Sequence, residues 1–199
     1  MNKTNQKGSS MIEVMGVMAI LGMATIGIYA GISNVHKRFR LANGYDEIRR
    51  VIKSTREQFA SFRPTDVSAD KLEKIGIFSN SFTSGGKKYS GSSLGYNMQI
   101  KLPGTGDGQY TSTFSDTFRL YLYDVDFQTC VDLLTSDWGS DASSGLAELS
   151  TSNSSKAFRW PNNLSGTQHP LPAETETAAT ECTPANGKSA VTIYWEYYF

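Results

Sequence analysis

The sequence has few of the residues that carry catalytic or metal chemistry. Its 199 residues include two histidines and two cysteines, which lie far apart along the chain, at His36, Cys130, His169 and Cys182. A zinc site needs closely spaced cysteine and histidine ligands, and a catalytic triad needs a histidine beside its nucleophile. The sequence therefore predicts no metal site, no cofactor and no enzymatic activity.

The chain also lacks an excess of either charge. Lys plus Arg and Asp plus Glu number 19 each, so the formal net charge is zero and nothing indicates a nucleic acid partner. Charged residues make up only 19% and apolar residues 39%, which is too apolar for a disordered chain. The length is sufficient for one main folding unit with a real core.

One long hydrophobic run lies near the amino terminus. Residues Val14 to Val35 carry no acidic or basic side chain, and a helix needs roughly 20 residues to cross the hydrocarbon core of a membrane. The short leader before the run carries Lys3 and Lys7 as its only charges, and basic flanks favour the cytoplasmic side. We therefore expect one membrane-spanning helix followed by a soluble domain.

An acidic residue, Glu13, stands at the edge of this run. A charge at mid-membrane costs on the order of 2.5–3.5 kcal/mol on insertion scales, so such a residue usually has a partner. An ordinary secretory signal has a shorter apolar core of about 7–15 residues. Glu13 lies four residues, about one helical turn, after Ser9, which follows Gly8. The alternative is an ordinary anchor in which Glu13 lies at the headgroup level.

The series Gly8, Ser9, Glu13 and then an apolar helix resembles the class III signal of type IV pilins. The resemblance implies that a prepilin peptidase removes the leader, residues 1–8, and methylates the new amino terminus at Ser9. Glu13 would then be the fifth residue of the mature chain and would pair with the amino terminus of a neighbouring subunit. Such a pairing makes physical sense because a buried carboxylate and a buried ammonium compensate each other.

The helical pattern continues past the hydrophobic run. Residues 9–36 form the predicted hydrophobic half, and residues 37–62 form an amphipathic half that lies on a globular head of residues 37–199. Pro64 marks the expected stop. The whole helix, from about Ser10 to Phe62, would be some 80 Å long at roughly 1.5 Å per residue. Its apolar stripe, at spacings of mostly three and four, consists of Ile32, Val35, Phe39, Ala42, Tyr45, Ile48, Ile52, Phe59 and Phe62.

Three later segments alternate strictly between apolar and other residues, which predicts half-buried strands of an antiparallel sheet. Their inward positions are Tyr96, Met98, Ile100 and Leu102, then Phe118, Leu120 and Leu122, then Val191, Ile193, Trp195, Tyr197 and Phe199. Short helices are predicted around Ser68–Ile75 and Asp126–Leu134. Ser79–Ser93 is predicted as a surface loop, and Pro103–Gln109 as a hairpin turn rather than a phosphate loop, because it opens no helix. The fold class is α+β.

Cys130 and Cys182 are expected to form a disulfide, because an exported domain would oxidise its only two cysteines. The enclosed stretch is mostly small and polar, with Trp138, Phe158 and Trp160 as expected inward anchors. A cysteine pair near the carboxyl terminus also resembles pilins, most closely the type IVb subclass. The resemblance implies that residues 130–182 are the D-region, an exposed surface that sets lateral packing and receptor contacts.

Two pairs of acids near strand ends, Asp124 with Asp126 and Asp137 with Asp141, are weaker candidates for calcium ligands. Acids in such positions are usually only solvated, so the prediction of no metal site is kept.

The resemblance implies the structural subunit of a type IV pilus. The precursor would lie in the inner membrane of a Gram-negative bacterium, with its head in the periplasm. Its partners would be the prepilin peptidase, the pilus assembly machinery, identical subunits in a helical filament, and a host-cell or bacterial surface receptor. The extracellular filament would serve adhesion, aggregation, motility or conjugation. The alternatives are a minor pilin, a type II secretion pseudopilin, or a membrane-anchored periplasmic binding protein or enzyme.

Overall fold

The structure is a computed structural model that describes residues 11–60, 69–78, 81–84, 87–103, 109–110, 114, 116–139, 142–153, 157–159, 169–185 and 188–199. The side chains of residues 11–13, 20–34, 37, 69–70, 81–89, 109–110 and 142 are outside this description. The chain divides into two compact units, Met1–Ala42 and Asn43–Phe199. Helix α1, Met11–Phe59, contributes residues to both.

The first unit presents apolar side chains on its part of α1. Val14, Met15, Val17 and Met18 are exposed, and so is Phe39. Among the described residues, no helix combines the length and the hydropathy that a membrane span requires. Most of the membrane span predicted over residues 14–35 consists of residues 20–34, whose side chains lie outside the description.

The second unit contains the amphipathic end of α1. The predicted stripe is confirmed at Ile48, Ile52 and Phe59, which are all buried. The pattern overlooked Thr55, which is buried because its hydroxyl donates to the carbonyl of Val51 at 2.7 Å. The helix ends three residues before the predicted Phe62, and residues 61–68, with Phe62 and Pro64, lie outside the description.

The other elements of the second unit are short. The helices are α2, Ala69–Lys74, which was predicted, α3, Phe127–Thr135, which was predicted, and α4, Thr175–Cys182, which was not. The strands are β1 (Ser81–Ser84), β2 (Lys87–Gly91), β3 (Asn97–Pro103), β4 (Gln109–Tyr110), β5 (Thr117–Val125), β6 (Leu146–Thr151), β7 (Phe158–Arg159), β8 (His169–Pro170) and β9 (Val191–Tyr198).

The described strands form one sheet in the order β1-β2-β3-β5-β9-β6-β7-β8, with β4 beside β3. The three predicted strands are β3, β5 and β9, which lie next to one another in the sheet and pair antiparallel. The predicted α+β class is therefore confirmed. Ile100 lies opposite Leu120, and Leu120 lies opposite Trp195. These side chains are buried, and they form the centre of the core on one face of the sheet.

The surface loop predicted over residues 79–93 is wrong, because β1 and β2 pair antiparallel within it. Ser84 lies opposite Lys87, so the sequence between the two strands is Gly85-Gly86. Two glycines between strands favour a two-residue hairpin, since the turn requires positive φ at both positions. The small polar composition of the segment hid this signal.

The hairpin turn predicted at Pro103–Gln109 implied that the strands on either side of it pair antiparallel. Only this part of the prediction is correct. Strands β3 and β5 are antiparallel neighbours. However, Gln109 begins β4, which runs parallel to β3, so the connection continues to Thr117 instead of closing as a tight turn. Residues 104–108 lie outside the description.

The stretch between the two cysteines contains more regular structure than its composition indicates. Strand β6 pairs with β9, and Leu149 on β6 lies opposite both Trp195 and Phe158. Trp138 and Phe158 are buried, as predicted, and Trp160 lies outside the description. Serine and threonine become strand residues here because β9 supplies a partner, which is a tertiary effect that local propensity does not contain.

Candidate functional site

The predicted processing and assembly residues lie at the amino terminus. Gly8 and Ser9 are outside the described residues. The backbone of Glu13 is part of α1, but its side chain is outside the description. The roles of these three residues therefore stay predictions.

The cysteine pair is the best-defined of the predicted sites. Cys130 lies in α3 and Cys182 is the last residue of α4; the two form a disulfide with Cα atoms 5.8 Å apart, which confirms the predicted pairing. Both cysteines are fully buried. The bond joins two cysteines that are 52 residues apart in sequence, and it fixes α4 against α3.

The amino-terminal end of α3 is held by Asp126. Its carboxylate accepts hydrogen bonds from the backbone N–H of Thr129 at 3.1 Å and from the Thr129 hydroxyl at 2.9 Å, and the Tyr96 hydroxyl also donates to it. Burial alone would raise the pKa of Asp126, but the hydrogen bonds from Tyr96 and Thr129 outweigh it and lower the pKa. Asp126 is thus the helix cap.

The pKa of Tyr96 moves in the opposite direction. Burial raises it, and so does the hydrogen bond to the negatively charged Asp126. The pair is therefore most stable with a protonated tyrosine and an ionised aspartate.

The candidate calcium ligands do not gather in the described part of the chain. No group of three His, Cys, Asp or Glu side chains among those residues is arranged to hold a metal ion. Asp126 serves as a cap, Asp137 accepts from the backbone N–H of Gly139 at 2.9 Å, and Asp141 lies outside the description.

The carboxyl-terminal end of α3 is also closed by side chains. The Tyr45 hydroxyl, on α1, donates to the carbonyl of Asp132 at 2.7 Å, and the indole N–H of Trp138 donates to the carbonyl of Leu133 at 2.6 Å. These bonds satisfy carbonyls that the helix itself leaves without a partner. Trp138 in turn packs edge-on against Trp195, with ring centroids 5.0 Å apart.

Helix α4 is attached to the sheet by three contacts near its end. The Thr151 hydroxyl donates to the carbonyl of Glu181 at 2.9 Å, and the Asn153 amide donates to the carbonyl of Thr183 at 3.0 Å. The ring nitrogen Nε2 of His169 lies 3.3 Å from the carboxylate of Glu181, and its ring packs on Phe158. His169 thus contacts an acid and an aromatic ring. The second histidine of the chain, His36, belongs to the first unit.

A row of charged residues crosses the sheet on the face opposite the apolar core. In register, Lys101 lies opposite Arg119, Arg119 opposite Glu196, and Glu196 opposite Glu148. Glu196 is fully buried and Glu148 is 5% exposed. Arg159, on β7, donates from Nε to Glu148 at 3.1 Å and makes a second contact through Nη2.

Two arginines compensate the two adjacent acids. Like charges opposite each other on neighbouring strands destabilise a sheet. Arg119 bridges the acids, with its Nε 2.7 Å from Glu196 and its Nη2 3.6 Å from Glu148. Burial opposes the charge of Arg119, but hydrogen bonds to Tyr121 and Glu196 raise its pKa above the ordinary value.

Hydroxyl groups complete the hydrogen bonding of the acids. Thr117 donates to Glu196 at 2.6 Å, and Tyr194 donates to Glu148 at 2.8 Å. Burial and the charge of Glu148 raise the pKa of Tyr194 to about 12. This network was not predicted from the sequence. Its signal was a charged residue at an outward position in each of two predicted strands, namely Arg119 and Glu196.

Comparisons with known proteins agree with this fold and with the amino-terminal signal. Residues 3–29 match the family model of the prokaryotic N-terminal methylation motif. The structure is similar to the crystal structure of a type IVb pilin from Salmonella typhi, with a TM-score of 0.51 and 16% sequence identity, over 79% of this chain and 99% of that chain. No curated protein matched.

At this identity the structural match shows a shared fold, and the motif match covers the amino terminus. The chain therefore combines a fold similar to that of a type IVb pilin with the prokaryotic N-terminal methylation motif.

Proposed function

We propose that the protein is the structural subunit of a type IV pilus. The observation that carries the proposal is the presence of the methylation motif, residues 3–29, and of the type IVb pilin fold in one chain. An ordinary membrane-anchored domain requires neither. The role is structural, because both features serve the delivery and assembly of a subunit.

In this proposal the precursor is inserted in the inner membrane through residues 9–36, with the head in the periplasm. Prepilin peptidase cleaves after Gly8 and methylates Ser9. The assembly machinery then adds the subunit to an extracellular helical filament of identical copies. Glu13 selects the correct register by pairing with the amino terminus of a neighbour, since the two buried charges compensate each other.

The D-region, residues 130–182, is proposed as the surface for lateral contacts and for a receptor on a host cell or another bacterium. Its construction supports this role. The disulfide and the three contacts near the end of α4 fix a polar outer region to the core, so the exposed residues of that region are free to vary without loss of the fold.

Intact-mass analysis of a sheared cell-surface fraction tests the proposal. The expected mass is that of Ser9 to Phe199, less two hydrogens for the disulfide and plus one methyl group. A chain of full length, found only in the cell envelope, would contradict the proposal and favour an anchored periplasmic protein. The copy number in the fraction separates a main subunit from a minor pilin or pseudopilin, because only a main subunit accounts for most of the filament mass.

A further inference from the structure

The second unit has a cavity of about 660 Å³ that the proposed function does not use. One wall is the last part of α1, the other wall is the segment after α3, and the floor is the end of the chain. The aromatic lining consists of Trp138, from the segment after α3, and of Tyr197 and Phe199, from the end of the chain. Three cations line it from α1: Arg49, Lys53 and Arg56.

The two arginines are held in place by neutral groups. Arg49 donates to the carbonyl of Asp137 at 2.8 Å and lies over the ring of Trp138, 5.8 Å from its centroid. Arg56 donates to the carbonyl of Ser144 at 2.7 Å. A carbonyl oxygen orients a guanidinium group without cancelling its charge, so the cavity keeps a positive wall.

The close approach of Arg56 depends on a glycine. Gly145 has a φ of +76°, and a Cβ there would lie 2.7 Å from Nη2 of Arg56. The backbone thus leaves room for the guanidinium group to lie flat against the segment after α3. The positive wall is therefore part of the packed head.

Acids partly balance this wall. The carboxylate of Glu57 lies 3.8 Å from Nζ of Lys53, but both side chains are more than half exposed, so water screens this pair. Asp137 also lines the cavity. Among the described residues that line the cavity, three basic and two acidic side chains leave an excess of positive charge beside an aromatic lining, which suits a carboxylate on a short aliphatic stem.

Such carboxylates are presented by α4. Glu174 and Glu176 stand at its beginning and are both exposed. Glu174 occupies the N-cap position without a side-chain capping bond, and the helix contains no basic residue. The buried neighbours Leu171 and Ala173 hold this turn on the head, so the two acids are presented on a fixed support.

These acids do not line the cavity of their own head, and neither does any other residue described for α4. The disulfide to Cys130 and the contacts of Thr151 and Asn153 fix α4 where it is. A complementary partner must therefore come from another molecule, and in a homopolymer that molecule is a second copy.

We propose that the cavity lined by Arg49, Lys53 and Arg56 binds the acidic first turn of α4, Glu174 and Glu176, of a neighbouring copy of the chain. This inference rests on the proposed function, because it assigns one contact between heads in the filament. Charge complementarity sets the lateral partner and the register of the contact.

A charge exchange tests the contact in cells that assemble the full chain. Lys53→Glu alone and Glu176→Lys alone should each lower the yield of sheared filaments about tenfold, since like charges then meet at the contact. The combination of both should restore the yield. Arg50→Glu is the matched control: Arg50 is exposed on the preceding turn of the same helix but does not line the cavity, and the substitution should leave the yield unchanged.

The outcomes separate this inference from the proposed function. If the wild-type chain gives no filaments, the proposed function fails. If wild-type filaments form but Lys53→Glu behaves as the Arg50→Glu control does, the contact is wrong. A loss of filaments that the double variant does not restore also overturns it, and indicates a different occupant such as a free anion.

Disulfide cross-linking provides a second test of the proposed contact, and this test does not depend on filament yield. Lys53→Cys combined with Glu176→Cys should produce a disulfide-linked ladder of subunits in oxidised filaments on a non-reducing gel. Arg50→Cys with Glu176→Cys should give much less. Equal cross-linking by the two pairs would contradict the proposed contact.

Discussion

Arg119 on β5 and Glu196 on β9 lie directly opposite each other and join through a contact of 2.7 Å between Nε and Oε2. Glu196 is fully buried, and the same arginine also approaches the neighbouring acid Glu148. The central strands are therefore joined by charge on one face and by packed apolar side chains on the other. Each face has its own consequences for stability.

Arg119→Met should destabilise the head by about 3–5 kcal/mol, because it leaves Glu196 as a buried charge without its cation. The free energy of unfolding in denaturant measures the effect. The double variant Arg119→Met with Glu196→Leu should recover most of the loss, since no unpaired charge then remains on this pair. A double variant that is as unstable as the single variant would contradict this explanation.

Cys182→Ser should lower the stability of the head by about 4 kcal/mol, which is the chain-entropy value for a loop of this length. The separation of 52 residues sets that value. The double variant with Cys130→Ser should show the same loss, because both variants lack the cross-link. An unchanged denaturation midpoint would mean that the disulfide does not stabilise the fold.

The head should lose stability in alkali. The pKa of Tyr194 is about 12 in the folded protein against an ordinary value of 10.0. A raised pKa means that the folded state keeps a proton that the unfolded chain releases, so this stabilisation is present below pH 10 and is lost between pH 10 and about pH 12.

Denaturant unfolding at several pH values checks the alkaline effect. Tyr194→Phe should be less stable near neutrality, since it loses the hydrogen bond to Glu148, and should show a shallower decline above pH 10. Equal slopes for the two proteins would show that another group controls the decline.

Asp126→Ala should cost about 1 kcal/mol through the loss of the helix cap. The lowered pKa of Asp126 predicts that its contribution is present above the ordinary pKa of 3.8 and is lost as the pH falls below it. The difference in stability between Asp126→Ala and wild type should therefore become smaller at acidic pH. Asp126→Asn, which keeps a capping oxygen, should lose less, and thermal unfolding at two pH values compares the variants.

Glu13→Ala should leave cleavage and the fold of the head intact but reduce the amount of filament, because only the proposed charge pair between subunits is removed. The proportion of processed chain and the sheared yield are measured together. Glu13→Gln keeps the size of the side chain and should fail in the same way. Normal filaments from either variant would rule out this role for Glu13.

The parts of the fold that the sequence predicted are those with a strong local period. The alternation around Ile100, Leu120 and Ile193 identified the three central strands, and the stripe through Ile48 and Ile52 identified the packed half of α1. Both patterns arise because one face of each element is buried, so they are visible in the local sequence.

The remaining parts depend on partners distant in sequence. Strand β6, with the sequence Leu-Ala-Glu-Leu-Ser-Thr, lacks strict alternation and becomes a strand through pairing with β9. The contact of Arg119 with Glu196 and the cavity beside Arg49 need the register of the sheet, which no local pattern contains. The cysteine pair was predictable because two residues allow only one pairing.

The place of β9 between β5 and β6 has a consequence for the order of folding. Strands β5 and β6 are made well before β9, and until it arrives each has an open edge that invites pairing with other chains. Contacts between such distant segments also form slowly. A head whose last strand has not yet been made and inserted is thus exposed to aggregation, and a chaperone would be needed most in that interval.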